Sequence, residues 1–270
     1  MGFTQTASKN NNPRVGDSAS LPNHPIPSEL LPEIEKHGSL AALDKHLESL
    51  PAEQRIAWAL RTFGENIVLS SSFGAQAAVM LHLVTRQRQN IPVVLVDTGY
   101  LFPETYRFID ELTARLKLNL HIARAEISPA WLEARHGKLW EHGLEGLEKY
   151  NTITKVLPMR RALEQLNAHA WLAGLRRSQS STRQKITVLG LQDGRAKIHP
   201  ILEWSDKNIH DYLKAHNLPY HPLWHQGYLS IGDWHTSRPV TEEITEEQSR
   251  FYGLKRECGL HDNTTPTYEI

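Results

Sequence analysis

The chain has a single cysteine, Cys258, in 270 residues. An internal disulfide, a four-cysteine iron–sulfur cluster and a multi-cysteine zinc site within one chain are therefore excluded. What remains is either a buried structural thiol or a reactive one. Net charge is lacking too: 30 Lys plus Arg balance 30 Asp plus Glu. No overall field draws the protein toward nucleic acid or an anionic membrane, so any anion site must be local. No stretch approaches the roughly 20 apolar residues of a membrane span, and the opening MGFTQTASKNNNPRVGDSAS has no apolar core of the signal-peptide kind. A cytoplasmic protein is expected. Gly2 and Thr6 fit the loose myristoylation pattern, but no polybasic or second lipid signal supports it. Neither a Walker A pattern nor GxGxxG occurs.

The length suits one α/β domain with flexible ends. Residues 1–27, rich in Asn, Ser, Pro and Gly, cannot offset their ordering entropy by burial and read as a disordered tail. Residues 28–239 form the expected α/β domain, and residues 240–270 a mobile C-terminal segment carrying the cysteine. Between Ser39 and Phe63 apolar residues recur at helical spacing, with Pro51 suited to a helix start and Gly64 to a stop, so two helices precede the first strand. The short apolar runs IVLSSSF and VVLVDTG flank an amphipathic segment from about Gln76 to Gln87, which is a βαβ unit. The alternation continues with a helix after Pro103, a strand at LHIA, a helical run from Lys155 to Leu166, and strands at WLAGL and ITVLG. That order implies a parallel sheet with helices on both faces. A helix from about Asp206 to His216 follows, and the acidic run Glu242 to Glu247 reads as a solvated helix face.

In an open parallel sheet, ligands bind beyond the carboxyl ends of the strands. Ser70, Ser71, Ser72, Phe73 and Gly74 lie there after the first strand, and small hydroxyl residues with a glycine let backbone amides approach an anion. An ordinary serine-capped turn is the alternative. Thr98 and Gly99 follow the second strand and Arg176 and Arg177 the fourth, with Arg183 close behind. Arginines at strand ends suit bidentate grips on phosphate. Cys258 sits behind Lys255 and Arg256 near the chain end, and neighbouring positive charge lowers a thiol pKa, which favours reactivity. His221, His225 and His235 lack companion carboxylates or cysteines at metal-ligand spacing and read as polar loop residues.

Six segments, SSSFGAQ, VDTGYLFPETY, TKVLPMRRAL, GLRRSQSSTR, GYLSIGDWHTSRP and RFYGLKRECGLH, resemble those of the 3′-phosphoadenylyl sulfate (PAPS) reductases, within the adenine-nucleotide α-hydrolase-like superfamily. The resemblance runs from about Leu40 to His261 and implies an α/β fold of that superfamily. It also implies that Cys258 is the nucleophile attacking the sulfur of PAPS, that a Cys S-sulfonate forms, and that thioredoxin releases sulfite. Ser70 to Gly74 would hold nucleotide phosphates and Thr98 and Gly99 would lie near the adenosine. Lys155, Arg176, Arg177, Arg238 and Arg250 would supply positive charge, with His261 as a further site residue. No bound flavin or nicotinamide is implied, and a homodimer is. The related adenylyl sulfate reductases carry a four-iron cluster on a Cys-Cys pair and a Cys-x-x-Cys, where this chain has Tyr150-Asn151 and Asp233-Trp234-His235. The PAPS branch, without an iron–sulfur cluster, is therefore expected. The competing readings are an ATP pyrophosphatase-type enzyme, which would not depend on Cys258, and a non-catalytic nucleotide-binding module.

Overall fold

The computed structural model describes residues 25–245, 248–254 and 260. The expected N-terminal tail therefore lies, up to residue 24, outside the described residues. So do Cys258, His261 and most of the expected mobile C-terminal segment.

Three helices come first: α1 (Leu31–His37), α2 (Leu40–Glu48) and α3 (Ala52–Phe63). Ser39 begins α2 by accepting the Ala42 amide on its side-chain oxygen at 3.1 Å, and Pro51 begins α3, where a missing N–H costs nothing. α1 was not expected; in α2 and α3, Leu43, Leu47, Ile56 and Phe63 are buried at the helical spacing that predicted them.

The sheet contains β1 (Ile67–Ser70), β2 (Pro92–Val96), β3 (Asn119–Ala123), β4 (Ala170–Ala173), β5 (Leu189–Gln192) and β6 (Arg195–Ile198) in the order β3-β2-β1-β4-β6-β5. All neighbours are parallel except β5 and β6. The apolar run ITVLG is thus the approach to an antiparallel edge hairpin. Its turn, Asp193-Gly194, has both residues at positive φ, the geometry that matches strand twist in a two-residue loop.

Side chains alternate across the strands. Ile67, Leu69, Val93, Leu95 and Leu172 share one core with α3, α4 (Ala78–Thr85), α5 (Pro103–Leu116) and α9 (Asp206–Ala215). Val68, Val94 and Trp171 face a second core with α8 (Leu157–Gln165). Chain order runs outward from β1 to β3 and returns to β4 on the other side of β1. The switch point therefore lies between β1 and β4, where a crevice opens.

Two helices, α6 (Pro129–His136) and α7 (Gly143–Asn151), lie between β3 and α8. The backbone does not break between α7 and α8. Thr152–Val156 winds as a π-helix just ahead of Pro158, whose nitrogen has no hydrogen to donate. The Thr154 hydroxyl donates to the Tyr150 carbonyl at 2.7 Å within this segment. The expected acidic helix is corrected: Glu242–Ile244 form a bend, in which the Thr241 hydroxyl oxygen accepts the amides of Glu243 and Ile244. That local side-chain alternative competes with helix formation. Among the described residues no helix is long and apolar enough to cross a membrane.

Candidate active site

A cavity of about 380 Å³ lies at the carboxyl edge of the sheet, at the switch point. Its wall includes Ser70, Ser71, Ser72 and Gly74 after β1, Thr98 after β2, Arg176 after β4, and Lys155 from the π segment. Gly232, Asp233 and Arg250 close it from the C-terminal side. The size is that of a small-ligand site.

The β1 turn is held by its own side chains. The Ser70 hydroxyl donates to the Leu172 carbonyl at 3.2 Å, and the Ser71 hydroxyl oxygen accepts the Phe73 amide at 3.2 Å. Phe73 is fully buried and has φ +48°, a left-handed conformation that costs a bulky residue energy. Its ring anchors the turn from below, in the core, and does not join the cavity wall. Gly99 is also off the wall: it has φ +77°, and a Cβ there would lie 2.5 Å from Pro129. Glycine is required at that turn for room and for conformation.

Arg176 and Arg177 diverge because Arg176 is extended and successive side chains in such a stretch point opposite ways. Arg176 is buried on the cavity wall. Its guanidinium donates to Gln76 Oε1 at 2.6 Å, Ser178 Oγ at 3.1 Å and the Trp204 carbonyl at 3.2 Å, and pairs with Asp206 at 2.9 Å. Arg177 turns outward to Glu48 at 2.7 Å and to the Ile186 carbonyl. Arg183 reaches the wall, whereas Arg238 is exposed and stands off it.

At the other end, Lys155 Nζ lies 2.7 Å from Asp233 Oδ2 with both side chains buried, and the Thr98 hydroxyl donates to Asp233 Oδ1 at 2.5 Å. Burial works to raise the Asp233 carboxyl, but the Lys155 ammonium and the Thr98 hydroxyl outweigh it and hold the pKa at about 2. Lys155 also lies 5.2 Å from the ring centres of Tyr150 and Phe251. His235 stacks on Trp140 at 3.8 Å and meets Tyr100 and Tyr150 edge-on. Burial lowers its pKa to about 4, so the ring is neutral at pH 7. His221 is fully buried: Nδ1 accepts the Leu223 amide, which leaves Nε2–H to donate to Thr105 Oγ1 at 3.0 Å. Among the described residues there is no group of three or more His, Cys, Asp or Glu that could hold a metal ion.

Arg250 is seated by an isolated antiparallel bridge between its backbone and Ser237. Its guanidinium packs flat against Gly232, where a Cβ would lie 2.5 Å from both terminal nitrogens. Gly232, Asp233 and Gln76 were missed as site residues in the sequence. The signal available for the first two was their place together in GYLSIGDWH.

A mostly parallel sheet with a serine-rich turn and a cationic cavity at its switch point defines a nucleotide-binding protein of the adenine-nucleotide α-hydrolase-like fold. Residues 66–239 match the family model described as the phosphoadenosine phosphosulfate reductase domain. A phosphoadenosine 5′-phosphosulfate reductase of Alkalilimnicola ehrlichii is 56% identical over 243 residues, 90% of this chain and 99% of its own. That of Cronobacter sakazakii is 62% identical over 225 residues, 83% and 92% of the two chains. The crystal structure of a PAPS reductase from Candida auris, a phosphate complex, superposes with a TM-score of 0.65 at 29% identity, covering 74% of this chain and 97% of its own. A Candida glabrata FMN adenylyltransferase, at 18% identity and a TM-score of 0.52 over 76% of this chain and 75% of its own, shares the fold. The chain belongs to the phosphoadenosine phosphosulfate reductase family.

Proposed function

We propose that this enzyme reduces PAPS to sulfite and adenosine 3′,5′-bisphosphate in sulfate assimilation, through a Cys258 S-sulfonate that thioredoxin resolves. The observation that carries the reading is the joining of the serine turn, Arg176, Lys155 and Arg250 on one cavity at the sheet's switch point. In the first step the Cys258 thiolate attacks the sulfuryl sulfur, the S–O bond to the nucleotide phosphate breaks, and the bisphosphate leaves. One thioredoxin thiolate then attacks Cys258 Sγ and expels sulfite, and the second thiol frees Cys258 as thioredoxin closes its own disulfide. The dithiol supplies both electrons.

The reading includes no iron–sulfur cluster. At the positions where the adenylyl sulfate reductases carry cysteine ligands, Tyr150 and Asn151 are buried and Asp233 is engaged by Lys155 and Thr98. None of these is a thiolate donor. It also includes a cytoplasmic homodimer, as the family resemblance implies.

Intact mass of the reduced protein after incubation with PAPS, without thioredoxin, tests the route. One added SO₃ on Cys258, removed by thioredoxin, is the expected result. An unmodified protein that still binds or hydrolyses the nucleotide would point instead to the pyrophosphatase or binding-module readings.

The seat of Arg250 carries its own prediction. Gly232→Ala should displace the guanidinium without removing its charge, since only the far end of a flexible side chain must move. Affinity for adenosine 3′,5′-bisphosphate, measured by calorimetry, is expected to fall by about tenfold, as one charge-assisted hydrogen bond would account for. Arg250→Ala, which also removes the charge, should fall at least as far, and the double variant should bind no more weakly than Arg250→Ala, because both act on one contact.

A further inference from the structure

The edge hairpin carries a polar pair that the cavity does not use. Lys197, on β6, is only 4% exposed. Its ammonium donates to Gln192 Oε1 at 2.7 Å and to the Leu260 carbonyl at 3.0 Å, and lies 4.2 Å from the centre of the Trp171 ring. The Gln192 side-chain amide donates to the same carbonyl at 3.2 Å. In the antiparallel register Gln192 pairs with Arg195 and Lys197 with Gly190, so the hairpin brings both donors to one acceptor. The Leu260 side chain packs against the core of Val68, Val94, Met159 and Trp171 and forms part of the cavity wall. Neither Gln192 nor Lys197 belongs to that wall.

Burying an ammonium is costly unless it is well hydrogen-bonded. Here one of its bonds fixes a main-chain carbonyl 63 residues away in sequence, and the other holds Gln192, which donates to the same carbonyl. Leu260 follows Cys258 by two residues, and two residues of chain reach at most about 7 Å. Fixing Leu260 therefore limits where the thiol can go.

We propose that Gln192 and Lys197 are positioning residues, which anchor the Leu260 carbonyl so that Cys258 is presented to the substrate sulfur at the cavity. This rests on the covalent route proposed above. An anchor of this kind acts on the effective concentration of the nucleophile, where a misplacement of about 1 Å can cost on the order of 100-fold in rate. It makes no contribution to holding the nucleotide.

Lys197→Met keeps the buried length and removes the ammonium, and Gln192→Leu removes the second donor at a less buried position. The experiment measures, for each, the single-turnover rate of Cys258 sulfonation by PAPS from intact mass, the calorimetric affinity for adenosine 3′,5′-bisphosphate, and the melting temperature. Sulfonation is expected to slow by about 10- to 100-fold in Lys197→Met and less in Gln192→Leu. Nucleotide affinity should stay within about twofold, and the double variant should be no slower than Lys197→Met, since both act on one carbonyl. Variants sulfonated as fast as the parent overturn the anchor, and so does a loss of nucleotide affinity in step with the loss of rate. Should Lys197→Met not fold, Gln192→Leu decides alone. A parent protein that PAPS never sulfonates overturns the covalent route instead.

Discussion

Replacing Cys258 with serine is expected to abolish sulfite release while leaving affinity for adenosine 3′,5′-bisphosphate within a few-fold of the parent. The two effects separate because different groups carry them. A thiol with a pKa of about 8.5 is already a few per cent anion at neutral pH, and nearby cations raise that fraction. A serine hydroxyl has no comparable anion unless a general base takes its proton. The residues proposed to hold the nucleotide are untouched: the serine turn, Arg176 with its four partners, and Arg250 against Gly232. Sulfite assay and calorimetry on the same preparation check both halves. Turnover retained without the thiol would sink the covalent route.

The second large effect concerns Asp233. Asp233→Ala strands the Lys155 ammonium in a site where its side chain is 8% exposed, and is expected to cost about 3–5 kcal/mol of stability in urea unfolding. Lys155→Met strands the carboxylate and should cost a similar amount. The double variant Lys155→Met/Asp233→Ala is expected to lose much less than the sum, since no unpaired charge is left behind. Additive losses would mean that the two residues act independently despite their 2.7 Å separation. The same pair sets an acid limit. The folded pKa of Asp233, about 2, lies below its ordinary value of 3.8. The stability it contributes is therefore complete above about pH 4 and is lost as pH falls toward 2.

Much of the frame was legible in the sequence because strands and helices differ in period. The βαβ unit from Ile67 to Val96, the helix after Pro103 and the strand at Trp171 all stand near where the apolar patterns put them. So does the serine turn, since a strand followed by small residues and a helix has few other forms. The edge hairpin was not read, because ITVLG looks like one apolar run while its partner, RAKI, carries Arg195 and Lys197. The Asp-Gly turn between them was the usable signal. The two arginines after β4 were indistinguishable by composition; the extended backbone at Arg176 divides them, one to the cavity and one to Glu48. No local pattern could pair Lys155 with Asp233 or Lys197 with Leu260, since the partners stand far apart in sequence and meet only when the sheet and its helices are assembled.

The π segment has a further consequence. An α-helix turns about 100° per residue, and one turn of π-helix takes in an extra residue, which delays the rotation by that much. Thr152–Val156 is thus a phase shifter between α7, which buries Leu147 and Tyr150, and α8, which buries Met159, Ala162 and Leu163. Straightening this turn to α-helix without changing its length would leave every residue type in place and still swing one helix by about 100° relative to the other. Either Lys155 would leave Asp233 or Met159 would leave the cavity wall. The constraint on this stretch is one of phase: the two helices keep their faces only while the wide turn is held.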